Sequence, residues 1–263
     1  MMRALSTAAT GMQAQQTKLD VTANNIANVG TVGFKKSRVE FSDLLYQTQS
    51  GAGSATSSLS KTPQAVQVGM GVRVDGTARL ETQGTLKNTG DTLNMAIEGA
   101  GYFQVVMPSG ETAYTRAGAF TRDADGYLVN SNGYRLATDV NIPPEAGDAD
   151  VDIAANGVVM VRMPGQVELE EAGRIELATF ANAGGLEALG DNLFRQTEGS
   201  GAPVTVTPGE AGTGHLRSGW LEMSNVSVVE EMVELISGQR AYEVNSRVVK
   251  AADEMLQQAT NIR

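Results

Sequence analysis

The sequence predicts an α+β chain: a mostly-β central domain flanked by long N- and C-terminal helices that pair in a coiled-coil-like layer. Three observations predict it. Apolar residues recur every seven positions at both ends of the 263-residue chain, the period falls to two in the middle, and Gly and Pro punctuate residues 75–220. Helix at the ends with antiparallel strands between them satisfies all three.

At the N-terminus Leu5, Met12, Leu19 and Ile26 fall seven apart, with Ala8, Ala9 and Ala23 in between. This is a narrow apolar stripe on a helix of about two dozen residues, which Gly30 is expected to end. Residues 49–62, rich in Gly, Ser, Thr and Ala, have neither period and predict an extended arm. Val66, Val68, Met70, Val72 and Val74 alternate with polar residues and glycines as one strand would. Leu93, Met95 and Ile97 alternate likewise, and Tyr102–Met107 and Arg174–Phe180 are further strands. Asp125-Gly126 and Asn132-Gly133 bracket Tyr127–Asn130 as hairpin turns do. At the C-terminus Leu221, Val228, Leu235, Tyr242, Val249 and Leu256 are again seven apart, flanked by Met232, Ile236, Val248, Met255 and Ile262. Ser227 with Glu230 three residues on forms a capping box, so this helix starts near Ser227 and runs nearly to the end. The expected divisions are 1–45 paired with 221–263, an arm and strand over 46–74, and the β-rich domain over 75–220.

A seam sustained at a spacing of seven needs a partner. A short, Asn-rich helix with a thin stripe is marginal alone, so the N-terminal helix is expected to pair with the C-terminal one or with neighbouring subunits, and both ends to order on assembly. Charge agrees with that division. Residues 1–45 and 46–90 each carry +2, 91–220 carry −11 and 221–263 carry −3 of the net −10. The acidic middle reads as solvated surface and the ends as contact surfaces.

Composition excludes several functions. With 20 basic against 30 acidic side chains, nucleic acid and anionic lipid are disfavoured as main partners. No cysteine means no disulfide, thiolate nucleophile or cysteine-ligated metal. His215 is the single histidine, which removes most triad and zinc chemistry, and no catalytic, cofactor or metal residue is nominated. No apolar run reaches the roughly 18 to 20 residues that span a bilayer. The Ala-rich start after Arg3 is interrupted by Ser6, Thr7, Thr10 and Gly11, so an uncleaved N-terminus is expected.

Smaller signals read blandly. Met12, Met70, Met95, Met232 and Met255 are expected as core filler. Asp123, Asp125 and Gly126 loosely suggest a calcium loop, but the Gly stands at position four rather than six, so a turn is expected. Ser58 and Lys61 have S-x-x-K spacing but sit in the arm without companion motifs. His215 is expected to satisfy a local hydrogen bond. Lys35, Lys36 and Arg38 by themselves read as a solvated loop. Asn24, Asn25 and Asn28, three Asn within five positions, cost helix propensity and favour interhelical hydrogen bonding.

The N-terminal residues Ala23-Asn24-Asn25-Ile26-Ala27-Asn28 and Thr31-Val32-Gly33-Phe34-Lys35 are similar to the signature of bacterial flagellar rod and hook proteins. Ser224-Asn225-Val226 through Met232, and Gln239-Arg240-Ala241-Tyr242-Glu243 with Asn245-Ser246, resemble the C-terminal helix of the same family. Ala96–Phe103, Tyr114–Phe120 and Asp125–Val129 resemble its shared β domain. The length, the 43–48 segment, the Gly/Ser arm and Gln67–Arg73 resemble the family's distal-rod members.

This resemblance implies a structural subunit of the flagellar distal rod, polymerised into a hollow helical drive shaft that transmits torque from rotor to hook. It implies as partners further copies of the chain, other rod proteins, the hook protein, the surrounding basal-body rings and the type III export apparatus, in a periplasmic rod reached without a cleaved signal. The expected assembly interface is Leu5, Met12, Leu19, Asn24, Asn25, Ile26 and Asn28 with Leu221, Val228, Leu235, Tyr242, Val249 and Leu256. A proximal-rod or hook-type axial protein is the near alternative. From another class, a β-rich cell-wall hydrolase or binding module stays open, though no carboxylate pair is singled out and aromatics are only 5% of the chain.

Overall fold

A computed structural model describes residues 2–52, 63–138, 140–147, 150–163, 169–210 and 212–261. The chain divides into two compact units. Unit 1 comprises Met1–Ala27, Ser37–Ala78 and Ser227–Arg263; unit 2 comprises Asn28–Lys36 and Arg79–Val226. Residues 28–36 and 221–226 therefore belong with the β-rich region.

Unit 1 holds helix α1, Met2–Ala27, and helix α2, Val228–Asn261. Helix α1 stops three residues before Gly30, and the Thr31 amide bonding the Asn28 carbonyl at 3.1 Å turns the chain out. Helix α2 begins one residue after Ser227, whose carbonyl accepts from the Glu231 amide at 3.0 Å. Glu230 and Glu231 in its first turn complement the positive end of the helix dipole. Two antiparallel strand pairs complete the unit, Ser37–Asp43 with Val72–Arg79 and Tyr46–Ser50 with Val66–Gly69. The single strand expected over 66–74 is thus two. Its break falls at Met70-Gly71, where Gly71 has φ +122° and a Cβ would lie 2.2 Å from Thr10 Oγ1. The arm's first residues, 49 and 50, are the end of a strand, and 53–62, with Ser58 and Lys61, lie outside the described residues.

Unit 2 is β structure around a large apolar core and a second, smaller cluster of Tyr102, Tyr114, Ala178, Leu186 and Phe194. Seven strands form an antiparallel sheet in the spatial order Glu187–Gly190, Leu193–Arg195, Thr112–Thr115, Phe103–Val106, Arg135–Leu136, Leu128–Asn130 and Phe120–Arg122. Val151–Ile153, Val158–Arg162 and Leu169–Arg174 make a three-stranded sheet. Met95–Glu98 pairs with His215–Ser218, Leu177–Thr179 with Val204–Val206, and Leu86–Asn88 with Trp220–Glu222. The strand expected over 174–180 is split, because Ile175 turns its side chain fully into the core between two strands of different sheets. Both turn dipeptides hold: Gly126 and Gly133 adopt φ +90° and +81° on either side of the strand Leu128–Asn130. Asp123 and Asp125 accept from Arg135 at 3.4 and 2.9 Å, so a cation already occupies that loop in the form of a guanidinium.

Alternate residues of these strands fill the core. Met95, Ile97, Phe103, Val105, Phe120, Leu128, Ile142, Ile175 and Leu177 are fully enclosed, with the Phe103 and Phe120 rings edge to face at 5.3 Å. Of the five methionines expected as core filler, Met95 is; Met12 is half-buried, and Met70, Met232 and Met255 are exposed. These exposed methionines all belong to unit 1.

Candidate functional site: the terminal helices

Helices α1 and α2 lie against each other antiparallel, as pairs of contacts along them require. Asn25 meets Glu231 near one end, Lys18 pairs with Glu234, and Gly11 faces Asn245 further along. Small and polar residues, rather than large apolar ones, are the most enclosed here: Ala8, Ala14, Thr22 and Asn25 on α1, Glu231, Gly238 and Ala252 on α2. A Cβ on Gly11 would lie 2.9 Å from Asn245 Nδ2, and one on Gly238 3.0 Å from Leu19 Cδ2. The helices approach closely enough at these points that glycine sets the spacing.

The seven-spaced residues are less enclosed than these small and polar ones. Leu5, Met12, Leu19 and Ile26 of α1 and Leu235, Val249 and Leu256 of α2 are half-buried, whereas Val228 and Tyr242 are exposed. Leu221 is not part of the seam. It sits in the strand Trp220–Glu222, paired with Lys87, because the strand and the Ser224–Ser227 segment both precede the helix. Its seven-residue spacing from Val228 is coincidence.

Of the three asparagines, Asn25 makes the interhelical bond. Its Nδ2 donates to Glu231 Oε2 at 3.1 Å and to the Ser37 carbonyl at 2.9 Å, while its Oδ1 accepts from the Ser37 amide at 3.0 Å. This carboxamide therefore fixes both α2 and the first strand of unit 1 against α1, and its burial is affordable because its polar atoms are paired. Asn24 is exposed, and Asn28 lies in the turn past the helix, accepting from Thr31 Oγ1 at 3.1 Å.

Helix α2 has a second apolar face that the spacing of seven does not reveal. Val229, Met232, Val233, Ile236, Val244, Val248 and Met255 are all exposed, Val229 at 73% and Val233 at 62%. At ~100° per residue they fall within an arc of about 160°, centred opposite the face that carries Glu231, Gly238, Asn245 and Ala252. Arg240, Glu243 and Arg247 interrupt the arc in the middle, Glu243 and Arg247 pairing at 3.8 Å. Part of the signal was present in the residues flanking the seam: Met232 and Ile236 stand four apart, and with Val229 and Val233 they recur at three and four, which is the spacing of a face in its own right. A further exposed apolar set lies on the strands of unit 1, comprising Phe41, Leu45, Tyr46, Val66, Val68 and Met70. Among the described residues, the large exposed apolar side chains outside unit 1 are only Val106, Leu169, Leu189 and Val204.

Sequence comparison supplies the context for a helix with one apolar face left exposed. Over 263 residues, 100% of both chains, the protein is 49% identical to the flagellar basal-body rod protein FlgG of Caulobacter vibrioides. The chain belongs to the flagellar basal-body rod protein family. This rod protein is also 45% identical to the FlgG of Borreliella burgdorferi, covering 100% of this chain and 99% of that one, and 40% identical to the FlgG of Bacillus subtilis over 100% of both. Family models match at residues 5–35 (flagella basal body rod protein), 96–161 (flagellar hook protein FlgE/F/G D1 domain) and 217–262 (flagellar basal body rod FlgEFG protein C-terminal). The flagellar hook protein FlgE of Borreliella burgdorferi matches at 43% identity over 52% of this chain and 30% of its own length. The rod protein is thus a structural component of the flagellum and not an enzyme. No helix of its described residues is long and apolar enough to cross a membrane. The first and last family matches take in nearly all of α1 and α2, so the candidate site coincides with what the relatives share at their ends.

Proposed function

We propose that the chain is a subunit of the distal rod, and that copies polymerise through their terminal helices into a hollow shaft that transmits torque from rotor to hook. One observation carries this reading: α1 covers the face of α2 that holds Glu231, Gly238, Asn245 and Ala252, and the opposite face, with Val229, Met232, Val233, Ile236, Val244, Val248 and Met255, is apolar and exposed. An apolar helix face is stable in water only when it is covered. In a head-to-tail polymer the second face of each subunit finds the next subunit, and an interface that does not close on itself extends into a tube. The helix pair of one subunit then continues, coiled-coil fashion, into a layer shared by many, with Leu5, Met12, Leu19, Ile26, Leu235, Val249 and Leu256 holding the pair and the outward valines and methionines joining pairs.

The acidic unit 2, with 20 acidic and 11 basic side chains against 10 and 9 in unit 1, suits the solvated exterior. At the two ends of such a shaft the same helices would meet other rod proteins and the hook protein, its outside the basal-body rings, and delivery to the periplasm would be by the type III export apparatus without cleavage. The test is assembly of the purified chain followed by electron microscopy. Tubes formed by the native chain and lost in Val233→Asp support the reading; tubes of normal diameter from Val233→Asp, or particles that never pass the dimer at any concentration, overturn it.

A further inference from the structure

Unit 2 carries a second feature, unrelated to the helices. No residue of its segment 28–36 joins either apolar core cluster, and polar bonds hold Val32, Gly33, Lys35 and Lys36 in place. Asn192 Nδ2 donates to the Val32 carbonyl at 3.0 Å from a turn in which Asp191 and Asn192 both have positive φ, 52° and 58°. The Gly33 amide donates to the Glu222 carbonyl at 2.8 Å, and at φ +71° a Cβ there would stand 2.5 Å from the Ala117 nitrogen. Lys35 Nζ donates to Glu222 Oε1 at 2.6 Å and to the Thr82 carbonyl at 2.9 Å. Glu222 in turn accepts from Arg116 Nε at 2.7 Å and from the Gly84 amide at 2.9 Å, and the Arg116 guanidinium is spent on the Ile97, Gly99 and Gly101 carbonyls. All three charges are buried.

Asn225 closes the arrangement. Its Oδ1 accepts from the Lys36 amide at 2.7 Å, its Nδ2 donates to the Leu80 carbonyl at 2.9 Å and to Thr82, and its own amide reaches the Phe34 carbonyl at 3.4 Å. The Leu80 amide bonds the Lys36 carbonyl at 2.9 Å. The chain passes between the two units four times, at 27/28, 36/37, 78/79 and 226/227. One carboxamide therefore ties together residues next to three of those passages.

We propose that segment 28–36 is a releasable strap, held in unit 2 by the clasp of Asn225 with Lys35, Glu222 and Arg116, which opens as a separate step while the apolar core stays folded. The physical ground is the difference in what holds each part. The core is held by enclosed apolar area, which is lost only when the sheets separate. The strap is held by directional polar bonds, and its release exposes charges that water solvates well. Opening it leaves two passages of chain between the units rather than four. The strap is a property of the single chain and stands whether or not the chain polymerises.

Amide hydrogen exchange on the full chain tests it. The strap set is the amides of Gly33, Lys36, Leu80, Gly84 and Asn225; the core set is the amides of the strands Phe103–Val106 and Thr112–Thr115. Asn225→Ala, which touches no buried charge, is expected to speed exchange of the strap set about tenfold and to move the core set less than twofold. Glu222→Gln is expected to speed the strap set about a hundredfold, because it strands two buried cations, again sparing the core. Strap and core accelerating together in Asn225→Ala would overturn the proposal, as would unfolding of unit 2 as a whole in either variant. Unchanged strap exchange in both would overturn it equally.

Discussion

The two units treat apolar surface in opposite ways. Unit 2 encloses its large apolar side chains in two clusters, covers itself with charge and, among the described residues, leaves only scattered valines and leucines outside. Unit 1 buries alanines, a threonine, an asparagine and a glutamate between its helices and holds Val229, Met232, Val233, Ile236, Val244, Val248 and Met255 of α2 outward. Unit 2 is complete as a single chain. Unit 1 leaves exposed an apolar helix face that one copy of the chain does not cover, and such a face marks a place where a protein meets a partner.

The largest break in the comparison comes from the core of unit 2. Phe103→Ala removes a fully enclosed ring from contact with Phe120 and is expected to cost about 3–5 kcal/mol. Thermal unfolding followed by β-sheet circular dichroism would show it as a large fall in midpoint, whereas Phe41→Ala in unit 1, at an exposed position, is expected to change stability by less than about 0.5 kcal/mol.

Next in size is the outward face of α2. Val233→Asp places a charge on a site that is open in one copy and covered in the polymer, so it costs little in the monomer and several kcal/mol on assembly. Leu235→Asp, half-buried beside α1, is expected instead to loosen the helix pair within one subunit. Sedimentation and helical circular dichroism on the same samples separate the two: Val233→Asp loses large species with its helix signal intact, and Leu235→Asp loses helix signal in the monomer as well.

Much of this was legible in the sequence, and the misses share a cause. Periodicity located both helices and the turns at Gly126 and Gly133, because 3.6-fold and two-fold patterns and Asx-Gly turns are local properties. The family signature at 23–35 marked the right residues but not their partners. Lys35 read as a solvated loop lysine, yet it is buried against Glu222, 187 positions away, whose carboxylate also accepts from Arg116, 106 positions from Glu222. No window of sequence contains that triad. The spacing of seven likewise found the helices but ran on into Leu221, because a period says that a stripe exists without saying where a strand precedes the helix.

A smaller effect follows from Lys35. Burial is the main cause that lowers its ammonium below the ordinary lysine value; the Glu222 carboxylate opposes this and the neighbouring Arg116 adds to it. The unfolded chain then holds more protons than the folded one between the lowered pKa and the ordinary value near ~10.4, so stability rises with pH across that window. Tyr102 works the other way. Burial first, then the Glu81 carboxylate that accepts its hydroxyl at 2.7 Å, raise the phenol well above the ordinary ~10, so its contribution is lost as pH climbs past that value. The melting temperature of unit 2 is expected to climb gently as pH approaches 10 and then turn down. Lys35→Met should flatten the rising limb and keep the fall; a rising limb unchanged in that variant would assign it to another group.

The smallest effect tests whether glycine at the helix joint is needed for closeness or merely tolerated. Gly11 lies in the interior of α1, where glycine costs about 0.8–1.0 kcal/mol against alanine. A methyl at that position would meet Asn245 Nδ2 at 2.9 Å, but that atom is the end of a side chain and can swing aside. At Gly238 the methyl would meet Leu19 Cδ2 at 3.0 Å and its Cγ at 3.4 Å, a branched carbon nearer the backbone of a half-buried residue. Gly11→Ala is therefore expected to raise the helical melting midpoint of the monomer, keeping about half of the propensity gain, and Gly238→Ala to leave it unchanged or lower it slightly. Unit 2 should not respond to either, since neither residue belongs to it. If Gly11→Ala lowers the helical midpoint as much as Gly238→Ala, the two helices are held at a fixed separation that no side-chain movement relieves, and the joint between α1 and α2 is as tightly specified as the core of unit 2.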